Sequence, residues 1–349
     1  MGVVNGTSNP YPHILFGPPG TGKTVTVVEA IKQVWLMRDD SRILVTAPSN
    51  TAADLLAERL NEDIPDPDIV RWIAPSREEF LVNPAIEDIV RSGEMTKRML
   101  LDHRIVVVTL ASAARVLNCG FPCGGITHVF VDEAGQATEP ETLIPIAGIL
   151  GKKGHLVLSG DPNQLGPVVK SRLADKHGLG RSLLERLMTT SPLYQKDPDT
   201  GLRDARYITK LKKNFRSHPD LLTLPSRLFY DNELEPQKDR SEVGMLSRLE
   251  WVQRKGFPLI FHGTKAVHGK SDNGPSLFNI LEVEKVMSYV ERLSQVLEES
   301  EIGIVSPYKR QVRMIKEELK KRFGFEDILV GSTEEFQGQE REVRCEIWN

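Results

Sequence analysis

One octapeptide constrains this chain of 349 residues more than any other feature. Gly17, Pro18, Pro19, Gly20, Thr21, Gly22, Lys23 and Thr24 lie between an apolar run, His13–Gly17, and an amphipathic stretch, Lys23–Met37. The G-x-x-x-x-G-K-[ST] pattern needs a strand that ends, a backbone that curls and a helix that begins. Its glycines allow successive N–H groups to converge on phosphate oxygens, and the helix N-terminus adds a favourable dipole. Lys23 suits the β- and γ-phosphates, and the Thr24 hydroxyl suits Mg²⁺. No guanine-reading N-K-x-D tetrad occurs in the chain, so ATP with Mg²⁺ is the expected cofactor pair.

Further short apolar runs at Arg42–Ala47, Arg104–Leu110, His128–Val131 and His155–Ser159 predict buried parallel strands. Helices are predicted between them at Thr51–Leu60 and Thr138–Leu150. A second series has predicted strands at Leu259–Phe261, Glu301–Ser306 and Asp327–Gly331, and predicted helices at Phe278–Leu297 and Lys309–Phe323. The alternation is that of an α/β fold with parallel sheets. Two domains are expected, 1–206 and 207–349, divided at the polar, turn-rich 197–206 stretch. Residues 61–103, which carry four prolines, read as an insertion on the first domain.

Two strand ends carry chemistry. Val129–Val131 runs into Asp132 and Glu133, which places two carboxylates at the sheet edge used by the phosphate loop. Asp132 suits Mg²⁺ through water, and Glu133 suits a general base for the attacking water. Gln164, after the next strand, suits the positioning of that water, although a Pro-Asn turn accounts for the same residues. Residues 212–219 read as the opening of the second α/β unit. They contain Phe215, an aromatic face for a base, and Arg216, an arginine finger reaching across a cleft.

Composition excludes several classes. The 45 basic and 48 acidic residues give a net charge of −3, which argues against a histone-like coat. A local basic surface remains available. Residues 309–322 hold seven Lys or Arg against Glu317 and Glu318, a pattern that serves equally for phosphate contacts or for a solvated face. The three cysteines, Cys119, Cys123 and Cys345, read as free thiols of a reducing compartment. No apolar run approaches the ~18 residues of a membrane span, and the N-terminus carries no signal-peptide pattern. An intracellular, non-membrane protein is expected.

Taken in order, the segments GPPGTGKT, APSNTAADLL, VVVTLASA, DEAGQATEPE, GDPNQLGPVV, NFRSHP, SPYKRQV and STEEFQGQERE resemble superfamily 1 helicases of the Upf-like branch. Within it, PHILFGPPGTGKTVTVVEAIKQV is most similar to the Moloney leukemia virus ten and Armitage group, RNA helicases of RNA silencing and ribonucleoprotein particles. The resemblance covers nearly the whole chain. It implies two RecA-like domains with an ATP cleft between them, ATP-driven 5′-to-3′ travel on single-stranded RNA, silencing or ribonucleoprotein partners, and a cytoplasmic location, ribonucleoprotein granules included.

Site residues follow from the same resemblance. Lys23, Thr24, Asp132, Glu133 and Gln164 match positions that handle ATP and Mg²⁺. Phe215 matches an adenine-stacking position and Arg216 an arginine finger. Gly338 and Glu340 match contacts to phosphate and ribose. Pro48, Ser49, Asn50, Thr109, Pro307, Tyr308 and Thr333 match positions that line the RNA channel. The family's adenine-reading glutamine upstream of the loop and its further arginine motif downstream have no counterpart here, so a truncated core with weak turnover is expected. A DNA helicase of the same superfamily and a nucleotide-gated RNA clamp remain open on the residues alone.

Overall fold

The computed structural model describes residues 10–77, 82–239, 246–252, 254–265, 269–270, 277–333, 335–336 and 339–347. The chain divides into two compact units, residues 1–259 and 260–349.

The first unit is built on a parallel sheet of β1 (His13–Phe16), β2 (Ile43–Ala47), β3 (Ile69–Trp72), β4 (Val90–Arg91), β5 (Ile105–Thr109), β6 (Ile126–Val131), β7 (Leu150–Gly160) and β8 (Ile208–Lys210). Their spatial order is β4-β3-β5-β2-β6-β7-β1-β8. The central strands β2, β5 and β6 are mostly apolar and buried at nearly every position because both faces are covered. In β5, Val106 and Val108 join one core while Ile105 and Val107 join the other. The same period of two separates Val129 and Val131 from Phe130 in β6. Helix α1 (Lys23–Met37) buries Val27, Val28, Ile31 and Val34, a stripe of helical spacing. Helix α2 (Asn50–Asn61) likewise buries Ala53, Leu56, Ala57 and Leu60. Truncating a fully buried leucine such as Leu56 to alanine costs about 2–5 kcal/mol.

Four expectations need correction. The division falls at 259/260 rather than 206/207, because β8 pairs with β1 and Lys210 Nζ lies 5.4 Å from the Phe16 ring centroid. Residues 61–103 are no appended insertion, since β3 pairs with β5 and extends the main sheet. The helix predicted at Thr138–Leu150 is limited to Glu139–Leu143. Pro145 has no N–H to continue it, and Gly148 turns at φ +78°. Leu259–Phe261 forms no strand; Phe261 is 91% exposed.

The second unit contains a three-stranded parallel sheet, with Ile302–Val305 between Leu329–Gly331 and Val343–Glu346. Its helices span Ile280–Leu293 and Lys309–Phe323. Buried Gln311 ties them. Its Oε1 accepts from Asn279 N at 2.8 Å, and its Nε2 donates to Asn279 O at 3.2 Å.

Candidate nucleotide site

The phosphate loop is held from outside by its carbonyls. Asn214 Nδ2 donates to Pro19 O at 2.7 Å, and Phe215 N donates to Gly20 O at 2.8 Å. The loop also closes on itself, with Thr21 N and Thr21 Oγ1 both donating to Pro18 O, at 3.3 and 2.6 Å. Gly20 allows the approach of Arg216: it sits at φ +72°, and a Cβ there would lie 2.7 Å from Arg216 Cβ. Asn214 is fully buried, with its Oδ1 accepting from Arg216 N and Ser217 N.

The acidic pair reaches the loop across the end of an intervening strand. β7 lies between β1 and β6, so Asp132 and Glu133 must cross it. Gly160 makes room, since a Cβ there would meet Gly135 N at 3.0 Å. Asp132 is buried; its Oδ2 accepts from Thr24 Oγ1 at 3.3 Å and its Oδ1 from Ser159 Oγ at 2.8 Å. Two hard oxygen donors thus converge on one point, the donor type that Mg²⁺ takes. Glu133 occupies a left-handed conformation at φ +53°, uncommon for a residue with a side chain. Its Oε1 accepts from Lys23 Nζ and its Oε2 from Gln136 Nε2, both at 2.8 Å.

Burial opposes the Lys23 ammonium, but the carboxylates of Glu133, Asp132 and Asp161 outweigh it and raise its pKa. Burial, with Asp132 beside it, pushes the Glu133 carboxyl above its ordinary value despite Lys23. A base more basic than a solvated carboxylate is the form this chemistry uses. Gln164 Nε2 donates to buried Asp161 Oδ2 at 2.9 Å.

Phe215 is 53% exposed and offers a free aromatic face beside the loop. Arg216 lies in the same unit as the phosphate loop, held there by Asn214. The expectation of an arginine delivered from a second α/β unit is therefore corrected.

The residues matched to an RNA channel gather at strand ends within each unit. Ala47 pairs with Thr109, so Pro48, Ser49, Asn50 and Thr109 share one edge of the first sheet. Ser49 and Thr109 also cap helices, accepting from Ala52 N and Ser112 N. In the second unit Val305 pairs with Gly331, which places Pro307, Tyr308 and Thr333 on one edge. Gly338 falls outside the described residues; Glu340 is exposed. Among the described residues, four of the seven basic residues of the 309–323 helix are ion-paired. Arg313 pairs with Glu317, Lys320 with Glu326, Lys321 with Glu318, and Arg322 with Glu284 and Glu318.

Two family models, each described as an AAA domain, match residues 7–91 with 85–172 and residues 179–344. The mouse protein named "RNA helicase Mov10l1" is 48% identical over 97% of this chain. The protein named "Probable RNA helicase armi" of Drosophila melanogaster is 37% identical over 98%. The chain belongs to the Moloney leukemia virus ten and Armitage branch of the Upf-like helicases. It spans 29% and 32% of the length of those two relatives.

Within this helicase fold, several site residues escaped the motif reading. Asn214 opens the NFRSHP segment and Ser159 ends the His155–Ser159 run, yet neither was expected to clasp the loop or Asp132. Arg71, fully buried on β3, donates from Nε to Asp54 Oδ1 at 2.8 Å and from Nη2 to Asn50 Oδ1 at 3.0 Å. It braces the first turn of α2, where Asn50 lies, and an arginine interrupting an apolar run is the signal that could have found it.

Proposed function

We propose that the chain is the ATP-hydrolysing core of an RNA helicase, coupling turnover to movement along single-stranded RNA in RNA silencing or ribonucleoprotein remodelling. The convergence of Lys23, Thr24, Asp132 and Glu133 at one sheet edge carries this reading. The names of the relatives support RNA over DNA.

Bound Mg²⁺ would supply positive charge to offset the charge that builds up during phosphoryl transfer. Thr24 and Asp132 would hold it. Lys23 releases Glu133 and takes the γ-phosphate. Glu133, freed, accepts the proton of the attacking water, while Gln164 orients that water through its amide oxygen. Phe215 stacks on the base, and Arg216 lies near the phosphates to stabilise departing charge. The strand-end residues Pro48, Ser49, Asn50, Thr109, Pro307, Tyr308 and Thr333 contact the RNA.

ATP hydrolysis measured with equal-length RNA and DNA oligomers tests this. Stimulation by RNA above DNA supports it. Equal stimulation assigns a general nucleic-acid motor, and ATP-dependent RNA retention without turnover assigns a clamp.

A further inference from the structure

We propose that Tyr230 is a positioning residue for ATP hydrolysis, acting through Asp161 on Gln164; this rests on the role given to Gln164 above. Asp161 Oδ2 accepts two hydrogen bonds, from Gln164 Nε2 at 2.9 Å and from the Tyr230 hydroxyl at 2.8 Å. Its Oδ1 accepts from Asn163 N at 2.9 Å. With its donor end tied to a carboxylate, the Gln164 amide has one orientation, and its Oε1 is the atom left to accept from water. The carboxylate is therefore the part that fixes the glutamine, and the phenol is the part that fixes the carboxylate.

Tyr230 is itself firmly held. It is buried, with its ring centroid 6.3 Å from that of Phe16, the last residue of β1. Lys210 Nζ donates to its backbone oxygen at 3.0 Å. Burial and Asp161 raise the phenol's pKa, so the hydroxyl stays a donor at working pH. A second bond runs beside it, from Asn163 Nδ2 to Phe229 O at 3.0 Å.

Tyr230 also ends the helix Pro219–Phe229, which begins just after Phe215 and Arg216. One end of this segment is clasped to the phosphate loop through Asn214 and Phe215, and the other grips the Gln164 loop. The helix thus fixes the spacing between the nucleotide seat and the water-orienting amide. Loss of the hydroxyl leaves the phosphate loop intact and loosens only the Gln164 end.

The test is steady-state ATP hydrolysis with single-stranded RNA by the parent chain, Tyr230→Phe, Gln164→Ala and the double variant. Tyr230→Phe should lower kcat about tenfold, the size of one hydrogen bond to a charged group, with KM for ATP within about twofold. The double variant should be no slower than Gln164→Ala alone, which a merely structural tyrosine would not produce. Unchanged kcat in Tyr230→Phe, or losses that multiply in the double variant, would overturn the proposal. So would a lowered melting temperature with kcat intact. Gln164→Ala turning over like the parent would instead remove the role of Gln164 on which the proposal stands.

Discussion

Replacing Lys23 with alanine should do more than abolish nucleotide binding: it should destabilise the nucleotide-free protein, and more so at high pH. Lys23 is 9% exposed and Glu133 20%, so the pair is mostly withdrawn from water. Removing one partner of a buried pair costs about 3–5 kcal/mol when the other stays charged. Glu133 has an escape, because it can take up a proton. Its carboxyl already lies above the ordinary range through burial and Asp132, and loss of Lys23 raises it further. A carboxyl with a raised folded pKa binds more protons folded than unfolded, so stability falls as pH rises through the window between the two values. The cost at pH 5 should therefore be small, and at pH 8 about 2–3 kcal/mol, discounted for the partial exposure of Glu133. Thermal unfolding of parent and Lys23→Ala at the two pH values measures it. Glu133→Gln added to Lys23→Ala should restore most of the loss at pH 8. Equal destabilisation at both pH values, or no rescue by the glutamine, would refute the argument that Lys23 neutralises Glu133 in the empty site.

Gly20→Ala should cost roughly 2–4 kcal/mol, a left-handed penalty plus overlap with Arg216, while Gly22→Ala, with nothing within 4 Å of its Cβ position, should cost only the first part; thermal melts compare them. His128 is held down to about 4 by burial, His155 and Arg38, so its neutral form is the folded one. Stability should be lost as pH falls from 6.5 through about 4, by roughly 3 kcal/mol, and His128→Phe should flatten that loss in acid unfolding curves. RNA affinity should fall steeply with salt and vary little among homopolymers, because backbone phosphates are the main handle; a flat salt response in binding titrations would contradict this.

The phosphate loop and the Asp132–Glu133 pair were legible because their chemistry lies in consecutive residues. The helices at Lys23–Met37 and Lys309–Phe323 were legible to the residue, their apolar stripes bounded by a glycine N-cap and a glycine C-cap. Local pattern fails where the partner is distant. Asn214 bonds a carbonyl 195 residues away. β3 was hidden because Arg71 breaks an apolar run, and its burial is compensated by Asp54 on α2. β8 has three residues, Ile208, Thr209 and Lys210, and becomes a strand only by lying against β1. The domain boundary moved for the same reason: the polar 197–206 stretch resembles a linker, but pairing beyond it returns the chain to the first sheet.

The most direct measurement is ATP binding and hydrolysis by the parent and by Glu133→Gln, side by side with single-stranded RNA. The amide keeps the shape of the side chain and loses its basicity, and a positioned base is typically worth ~10²–10⁴-fold in rate. ATP affinity in the presence of Mg²⁺ should be equal or tighter in Glu133→Gln, since Lys23 is released from its carboxylate, while turnover should fall by at least ~10²-fold. Turnover equal to the parent's, or loss of ATP binding together with turnover, would contradict the assignment of this sheet edge as a site of ATP hydrolysis with Glu133 as its base.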